Sequence, residues 1–300
     1  MPVASEESLA ATTVGVVGCG LMGSGIAEVF ARAGHAVIVH EVDAAAAARG
    51  RRRVERSLAK AAASGKLTDG DVEAALDRIT FGSDLDALGP VELCIEAASE
   101  DATLKLELFQ RLDAIIKDED AILASNTSSV PITRLGTATR RPAQVIGVHF
   151  FNPAPVLPLV EVVPGLLTSP DVVRRVRELA ERDLGKTVIL SKDRAGFVVN
   201  ALLVPYLLSA VRMVEAGFAT PSDIDAGMRG GCAHPMGPLR LADLIGIDTV
   251  VAIATSMFAE FKEPLYAPPP MLSRMVDAGL LGRKSGRGFY DYPLSDIEEN

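Results

Sequence analysis

The chain has 300 residues, 48% of them hydrophobic and only 23% charged, which is ample for two folded cores and excludes an intrinsically disordered protein. Its formal charge of −9 argues against general affinity for nucleic acid or an anionic membrane surface, since both attractions need a positive field. Three cysteines, Cys19, Cys94 and Cys232, are odd in number and lack the paired spacing of a disulfide framework, a zinc site or a redox motif, which fits reduced thiols in a cytosol, so no metal is expected.

Residues 1–11 carry two glutamates and no basic segment before an apolar run, so they read as a short disordered lead-in and not as a signal peptide. The β-branched run over 12–20 ends in glycine and predicts a strand; apolar residues at helical spacing follow until Gly34. A strand over 36–43, a long helix over 44–63 and a shorter one over 68–78 come next. Strands over 79–81 and 91–98, a helix over 103–116 and a strand over 121–126 continue an alternation that predicts a parallel, doubly wound sheet of the Rossmann type. Two more strands, 145–151 and 159–163, precede a helix over 170–182 and a last strand over 187–191. Helical periodicity alone runs from 197 to about 278, with turn clusters at 235–238 and 267–270. The fold expected is therefore an α/β nucleotide-binding domain over 1–194 joined to an all-helical domain over 195–300. The most hydrophobic long segment, 201–219, contains Pro205, Arg212 and Glu215, which suits a buried helix better than a lipid span.

Gly18, Gly20 and Gly23 form G-x-G-x-x-G between a strand and a helix, where glycines serve a tight turn, backbone approach to a pyrophosphate and close helix packing. With Leu21 and Met22 at the start of the helix, they are the candidate cofactor-binding turn. Glu41, about twenty positions after that turn, can accept hydrogen bonds from both ribose hydroxyls of an adenosine and would repel a 2′-phosphate, which predicts NAD(H). His40 and the arginines of 49–53 keep NADP(H) open, and Glu41 could instead be an exposed acid at a strand end.

Several stretches together resemble the short-chain L-3-hydroxyacyl-CoA dehydrogenases: VGVVGCGLMGSGIAEVFARAG (14–34), IEAASED (95–101), LASNTSS (123–129), VIGVHFFNPAPVLPLVEVV (145–163), GFVVN (196–200), HPMGP (234–238) and GRKSGRGFYDY (282–292). The match covers nearly the whole chain in order. It implies that His149 is a general acid/base, a role an imidazole suits, and that Glu161 orients the ring and stabilises its protonated form. It implies further that Ser128 binds the substrate's C3 oxygen, and that Asn200 donates to the thioester or keto oxygen. Glu100, Lys105 and Asn126 match the nicotinamide side, and Ser57, Lys60 and Lys66 match contacts to coenzyme A. Each residue also has a plainer reading. A lone histidine is usually a satisfied core or surface residue, and the NTSS segment could be a helix cap before Pro131. Glu100 could be a helix-start acid, Lys105 a solvated helix residue, and the run from Arg49 to Lys60 a solvated helix face.

The chain departs from the family pattern at three points. Ala195 stands where proline is expected before Gly196-Phe197, which could loosen the segment between domains; Ala201 stands where arginine is frequent; Glu41 replaces the commoner aspartate. The resemblance implies an NAD-dependent, cytoplasmic enzyme that interconverts (S)-3-hydroxyacyl-CoA and 3-ketoacyl-CoA, with 3-hydroxybutyryl-CoA the expected substrate. It also implies a homodimer paired through the helical domain. The rivals are a same-scaffold dehydrogenase of a gulonate-type sugar acid or an acyl-carrier-protein thioester, and a non-catalytic NAD-binding protein.

Overall fold

A computed structural model of the chain describes residues 12–293, so the lead-in expected over 1–11 lies outside the described residues. The chain divides into two compact units between Asp193 and Arg194.

The first unit is one eight-stranded sheet. Its strands are β1 (Thr13–Val17), β2 (Ala36–His40), β3 (Ile79–Gly82), β4 (Leu93–Glu96), β5 (Ile122–Ser125), β6 (Val145–Phe150), β7 (Leu159–Pro164) and β8 (Thr187–Leu190), in the order β3-β2-β1-β4-β5-β6-β7-β8. The helices between them are α1 (Leu21–Arg32), α2 (Ala44–Ala63), α3 (Asp69–Asp77), α4 (Ala102–Ile115), α5 (Ile132–Thr137) and α6 (Pro170–Glu178). Strands this apolar, such as β4 and β6 with every residue buried, need cover on both faces, and the helices provide it. Val16, Ile26, Phe30, Val39, Leu58, Ile95 and Val148 form part of one continuous core.

Two expectations need correction. The sheet is not parallel throughout: β7 runs antiparallel to β6. Only eight residues, 151–158, separate the two strands, and a parallel return needs a crossover of about a dozen residues or more. The chain therefore folds straight back, while β8, reached through α6, is again parallel to β7. The helix expected over 170–182 ends at Glu178 and continues as a single π-helical turn, Leu179–Asp183.

The second unit is helical: α7 (Val199–Glu215), α8 (Pro221–Cys232), α9 (Pro238–Ile245), α10 (Ile247–Phe261) and α11 (Pro270–Asp277). Leu207, Leu208, Val211, Leu239, Val250, Ala254, Met257 and Leu272 are among its core. Among the described residues no single helix is long and apolar enough to cross a membrane; α9 and α10 reach the required apolar length only together, and they bend by 95° at their junction.

Candidate active site

In this strand order the chain leaves β1 toward β2 on one side and later returns to β4 on the other, so a crevice opens between the carboxyl ends of β1 and β4, where open α/β sheets bind ligands. The glycine turn lies at its rim. Gly18 sits at φ +87°, in the left-handed region, and a Cβ there would come within 2.9 Å of Ala97 O. A Cβ on Gly23 would lie 1.8 Å from Gly18 O, so these two glycines are required by the protein's own packing. Gly20 differs: a Cβ there would meet nothing within 4 Å. It caps α1 without any side-chain bond to the helix start, so this turn offers open backbone to an anion at a helix N-terminus. Glu41, just past β2, bends back so that its Oε1 accepts from Cys19 N at 2.6 Å and its Oε2 from Val42 N at 3.1 Å. A diphosphate at the turn with its ribose at Glu41 fits this arrangement. Burial, with Glu41 adding to it, pushes the Cys19 thiol up to about 12, which removes it as a nucleophile.

Across the crevice, the ends of β4 and β5 carry a buried charge cluster. Glu96, the last residue of β4, is fully buried; Oε1 accepts from Lys105 Nζ at 2.6 Å and Ala98 N at 2.7 Å, and Oε2 from Ser125 Oγ at 2.6 Å. Lys105, on α4, is 1% exposed and also pairs with Glu100 Oε2 at 3.2 Å. Removing one partner of such a buried pair costs about 3–5 kcal/mol, so Lys105 is no solvated helix residue. The other Glu100 oxygen accepts from Thr127 Oγ1 at 2.5 Å, Ser128 N at 2.9 Å, Ser129 N at 3.0 Å and Ser129 Oγ at 2.8 Å. Burial alone would raise the Glu100 carboxyl, but Lys105 and the donors of the 127–129 loop together hold it below its ordinary value. The NTSS segment caps no helix through its side chains: α5 has Pro131 as its N-cap without a side-chain bond, and residues 127–129 are spent on Glu100. Glu100 likewise leaves the helix-start role to Asp101, whose side chain accepts from Leu104 N.

The β6–β7 turn makes the second cluster. Because the strands are antiparallel, His149 and Glu161 are directly opposite in register, and Nδ1 lies 2.7 Å from Glu161 Oε2. Glu161 is fully buried and His149 nearly so, with Phe151 edge-on to the imidazole at 4.6 Å between ring centres. Asn126 Oδ1 accepts from Phe150 N at 2.8 Å, tying the loop after β5 to the end of the histidine's strand. Lys186, buried, donates to Ala154 O and Leu157 O at 2.7 and 2.8 Å and holds the loop that leaves the histidine.

The first unit thus brings Ser128, Glu100, Lys105 and Asn126 together, with His149 and Glu161 tied in through Asn126. Ser57 lies beside Glu28 of α1, and Lys60 and Lys66 are exposed. Of the arginines of α2, Arg51 pairs with Glu55 at 3.1 Å and Arg53 reaches Cys19 O at 3.4 Å. Asn200 belongs to the second unit, near the start of α7 and 9% exposed. It follows Gly196 (φ +81°) and Phe197 (φ +47°). Ala195, where proline is expected, donates its N–H to Glu260 Oε2 at 3.1 Å within that unit, a bond no proline can make. Sequence reading missed Glu96, Ser125, Thr127 and Lys186. For Glu96 the signal was there, a lone acid closing an otherwise apolar strand.

A glycine turn at the crevice and a histidine–carboxylate pair two strands beyond it, toward the end of β6, define a dinucleotide-dependent dehydrogenase. Two family models match: 3-hydroxyacyl-CoA dehydrogenase, NAD binding domain, over 13–194, and 3-hydroxyacyl-CoA dehydrogenase, C-terminal domain, over 196–292. A 3-hydroxybutyryl-CoA dehydrogenase of Mycobacterium tuberculosis is 57% identical over 93% of this chain and 98% of its own. A mitochondrial hydroxyacyl-coenzyme A dehydrogenase of Sus scrofa is 40% identical over 96% and 94%. The crystal structure of M. tuberculosis FadB2 superposes with a TM-score of 0.93 at 56% identity, covering 95% of this chain and 100% of that one. That of (S)-3-hydroxybutyryl-CoA dehydrogenase PaaH1 from Ralstonia eutropha gives 0.88 at 43%, with the same coverage. The chain belongs to the 3-hydroxyacyl-CoA dehydrogenase family, as an NAD-dependent oxidoreductase.

Proposed function

We propose that the protein interconverts short-chain (S)-3-hydroxyacyl-CoA and 3-ketoacyl-CoA esters, with 3-hydroxybutyryl-CoA and acetoacetyl-CoA as the substrate pair. The observation that carries the chemistry is the 2.7 Å contact between His149 Nδ1 and the buried Glu161. With Nδ1–H directed at a carboxylate, Nε2 is the nitrogen that takes the 3-hydroxyl proton during oxidation and returns it during reduction. Glu161 fixes the tautomer and offsets the imidazolium charge that forms. Ser128 donates to the C3 oxygen from a loop that Glu100 holds, and Asn200 donates to the thioester or keto oxygen. The bound nicotinamide supplies or accepts the hydride at C3. Gly18, Gly20, Leu21, Met22 and Gly23 receive its diphosphate, Glu41 selects the unphosphorylated ribose, and Glu100, Lys105 and Asn126 form the nicotinamide side. Ser57, Lys60 and Lys66 contact coenzyme A. In this reading residues 1–194 are the nucleotide-binding domain, and residues 195–300 are a substrate and dimerisation domain that pairs two copies of a cytoplasmic homodimer. The 3-hydroxybutyryl-CoA names of the relatives at 57% and 49% identity support the chain length.

The test is loss of NADH absorbance when acetoacetyl-CoA is added to the purified protein, with free acetoacetate and NADPH in parallel. Turnover of NADH on the CoA ester alone is expected. Turnover of a sugar acid but not of the CoA ester would replace this reading.

A further inference from the structure

The cluster at the ends of β4 and β5 contains one more charge than binding requires. Lys105 carries one positive charge, and two carboxylates, Glu96 and Glu100, share it at 2.6 and 3.2 Å. Glu100 faces the crevice with a partly exposed side chain, whereas Glu96 lies beneath it, fully buried. Every partner of Glu96 is a donor: an ammonium, a backbone N–H and the Ser125 hydroxyl, whose own oxygen accepts from Thr127 N at 3.2 Å. Such a set holds the group as an acceptor-only carboxylate. The cluster therefore bears one net negative charge, with Glu96 and Lys105 shielded from solvent and Glu100 at the crevice. It stands at the topological switch point, for Glu96 pairs in register with Val17, the last residue of β1.

We propose that Glu96 is a positioning residue that sets the balance between the oxidised and reduced forms of the cofactor. The inference rests on the nicotinamide lying beside Glu100 and Lys105, as in the reading above. An oxidised nicotinamide ring is a cation and a reduced one is neutral, so a fixed net negative charge near it stabilises the oxidised form selectively. A neutral cluster would not. The charge excess depends on Glu96: with it, Lys105 is over-compensated; without it, Lys105 and Glu100 cancel. At an effective dielectric constant near 20, one unit of charge is enough for about a tenfold preference at any separation up to roughly 12 Å. Glu96 touches neither the ring nor the substrate and acts through Lys105 and the field.

The experiment measures dissociation constants of NADH and of NAD by fluorescence titration and competition, on the full chain and without substrate, for the wild type, Glu96→Gln and Glu96→Asp. For Glu96→Gln, NAD binding is expected to weaken about tenfold more than NADH binding, equivalent to about 30 mV in the two-electron potential of the bound cofactor. Glu96→Asp keeps the charge and is expected to keep the wild-type ratio even if both affinities fall. Equal weakening of both forms in Glu96→Gln, or an unchanged ratio, overturns the proposal, because a purely structural role moves the two together. If Glu96→Gln does not fold, Lys105→Met provides the opposite sign: it removes the cation and is expected to shift the ratio further toward NAD, and a shift toward NADH overturns the proposal. A wild type that binds neither form overturns the dehydrogenase reading itself, a result separate from a wild type that binds both and a variant that leaves their ratio intact.

Discussion

Two buried carboxylates of one sheet, Glu96 at the end of β4 and Glu161 within β7, have opposite electrostatic tasks. Glu96, in the parallel half of the sheet, faces a lysine, an amide and a hydroxyl, all of them donors that hold it in place. Glu161, in the antiparallel pair, faces His149, an imidazole, the side-chain type most often used for general acid/base chemistry. The local backbone explains the contrast. At β4–β5 the carboxylate must hold together loops from two parallel strands; at β6–β7 a tight return puts acid and imidazole face to face. A static cluster suits a cofactor's environment, and a titratable pair suits chemistry.

The sharpest way to break this contrast is to remove the titratable partner. His149→Ala is expected to lower kcat by about 10³-fold while NADH binding is retained, and Glu161→Gln by about a hundredfold. Stopped-flow kinetics with NADH titration in parallel checks both, and near-normal turnover in His149→Ala would sink the assignment. The glycine turn offers a second contrast. Gly23→Ala places a methyl 1.8 Å from Gly18 O and is expected to abolish soluble, folded protein or NADH binding outright. Gly20→Ala meets no protein atom, so its stability should stay within about 0.5 kcal/mol of wild type while NADH binding weakens about tenfold. Thermal melts with and without NADH separate the two.

Glu41→Ala is expected to erode the preference for NADH over NADPH by about tenfold, read as the ratio of kcat/KM values, because the charge that would repel a 2′-phosphate is gone. The smallest effect concerns acid. Glu100 is held below its ordinary value in the folded protein, so the stability it contributes is full above the unfolded value of about 4.3 and is lost as pH falls through the folded value. The difference in urea midpoint between wild type and Glu100→Gln should therefore be constant from about pH 6 to 8 and close below about pH 4. A difference that grows toward low pH would contradict the assigned sign.

Much of the site was legible because its signals are local. The glycine spacing and the acid after β2 each sit within a short stretch whose turn chemistry is readable, whereas His149 and Glu161 were expected from the family resemblance carried by residues 145–163. Glu96 and Thr127 were not legible as a unit: their partners lie up to 29 residues away, and a single acid at a strand end or a hydroxyl in a polar loop has many ordinary explanations. The antiparallel β7 was nearly legible, since eight residues cannot carry a crossover. Ala195 shows a departure with a consequence only the structure reveals: its N–H bonds to Glu260, 65 residues away.

By itself the sequence determined the alternation of strands and helices, the change to an all-helical second half and the chemical types available for catalysis. These follow from periodicity and side-chain chemistry, which are properties of short segments. Only the tertiary structure decided that β7 turns back on β6, that Glu161 therefore faces His149, and that Ser125 of β5 meets Glu96 of β4 beneath the lysine that Glu96 shares with Glu100. Register and burial are set by which segments meet, and no short stretch of sequence contains its own partner.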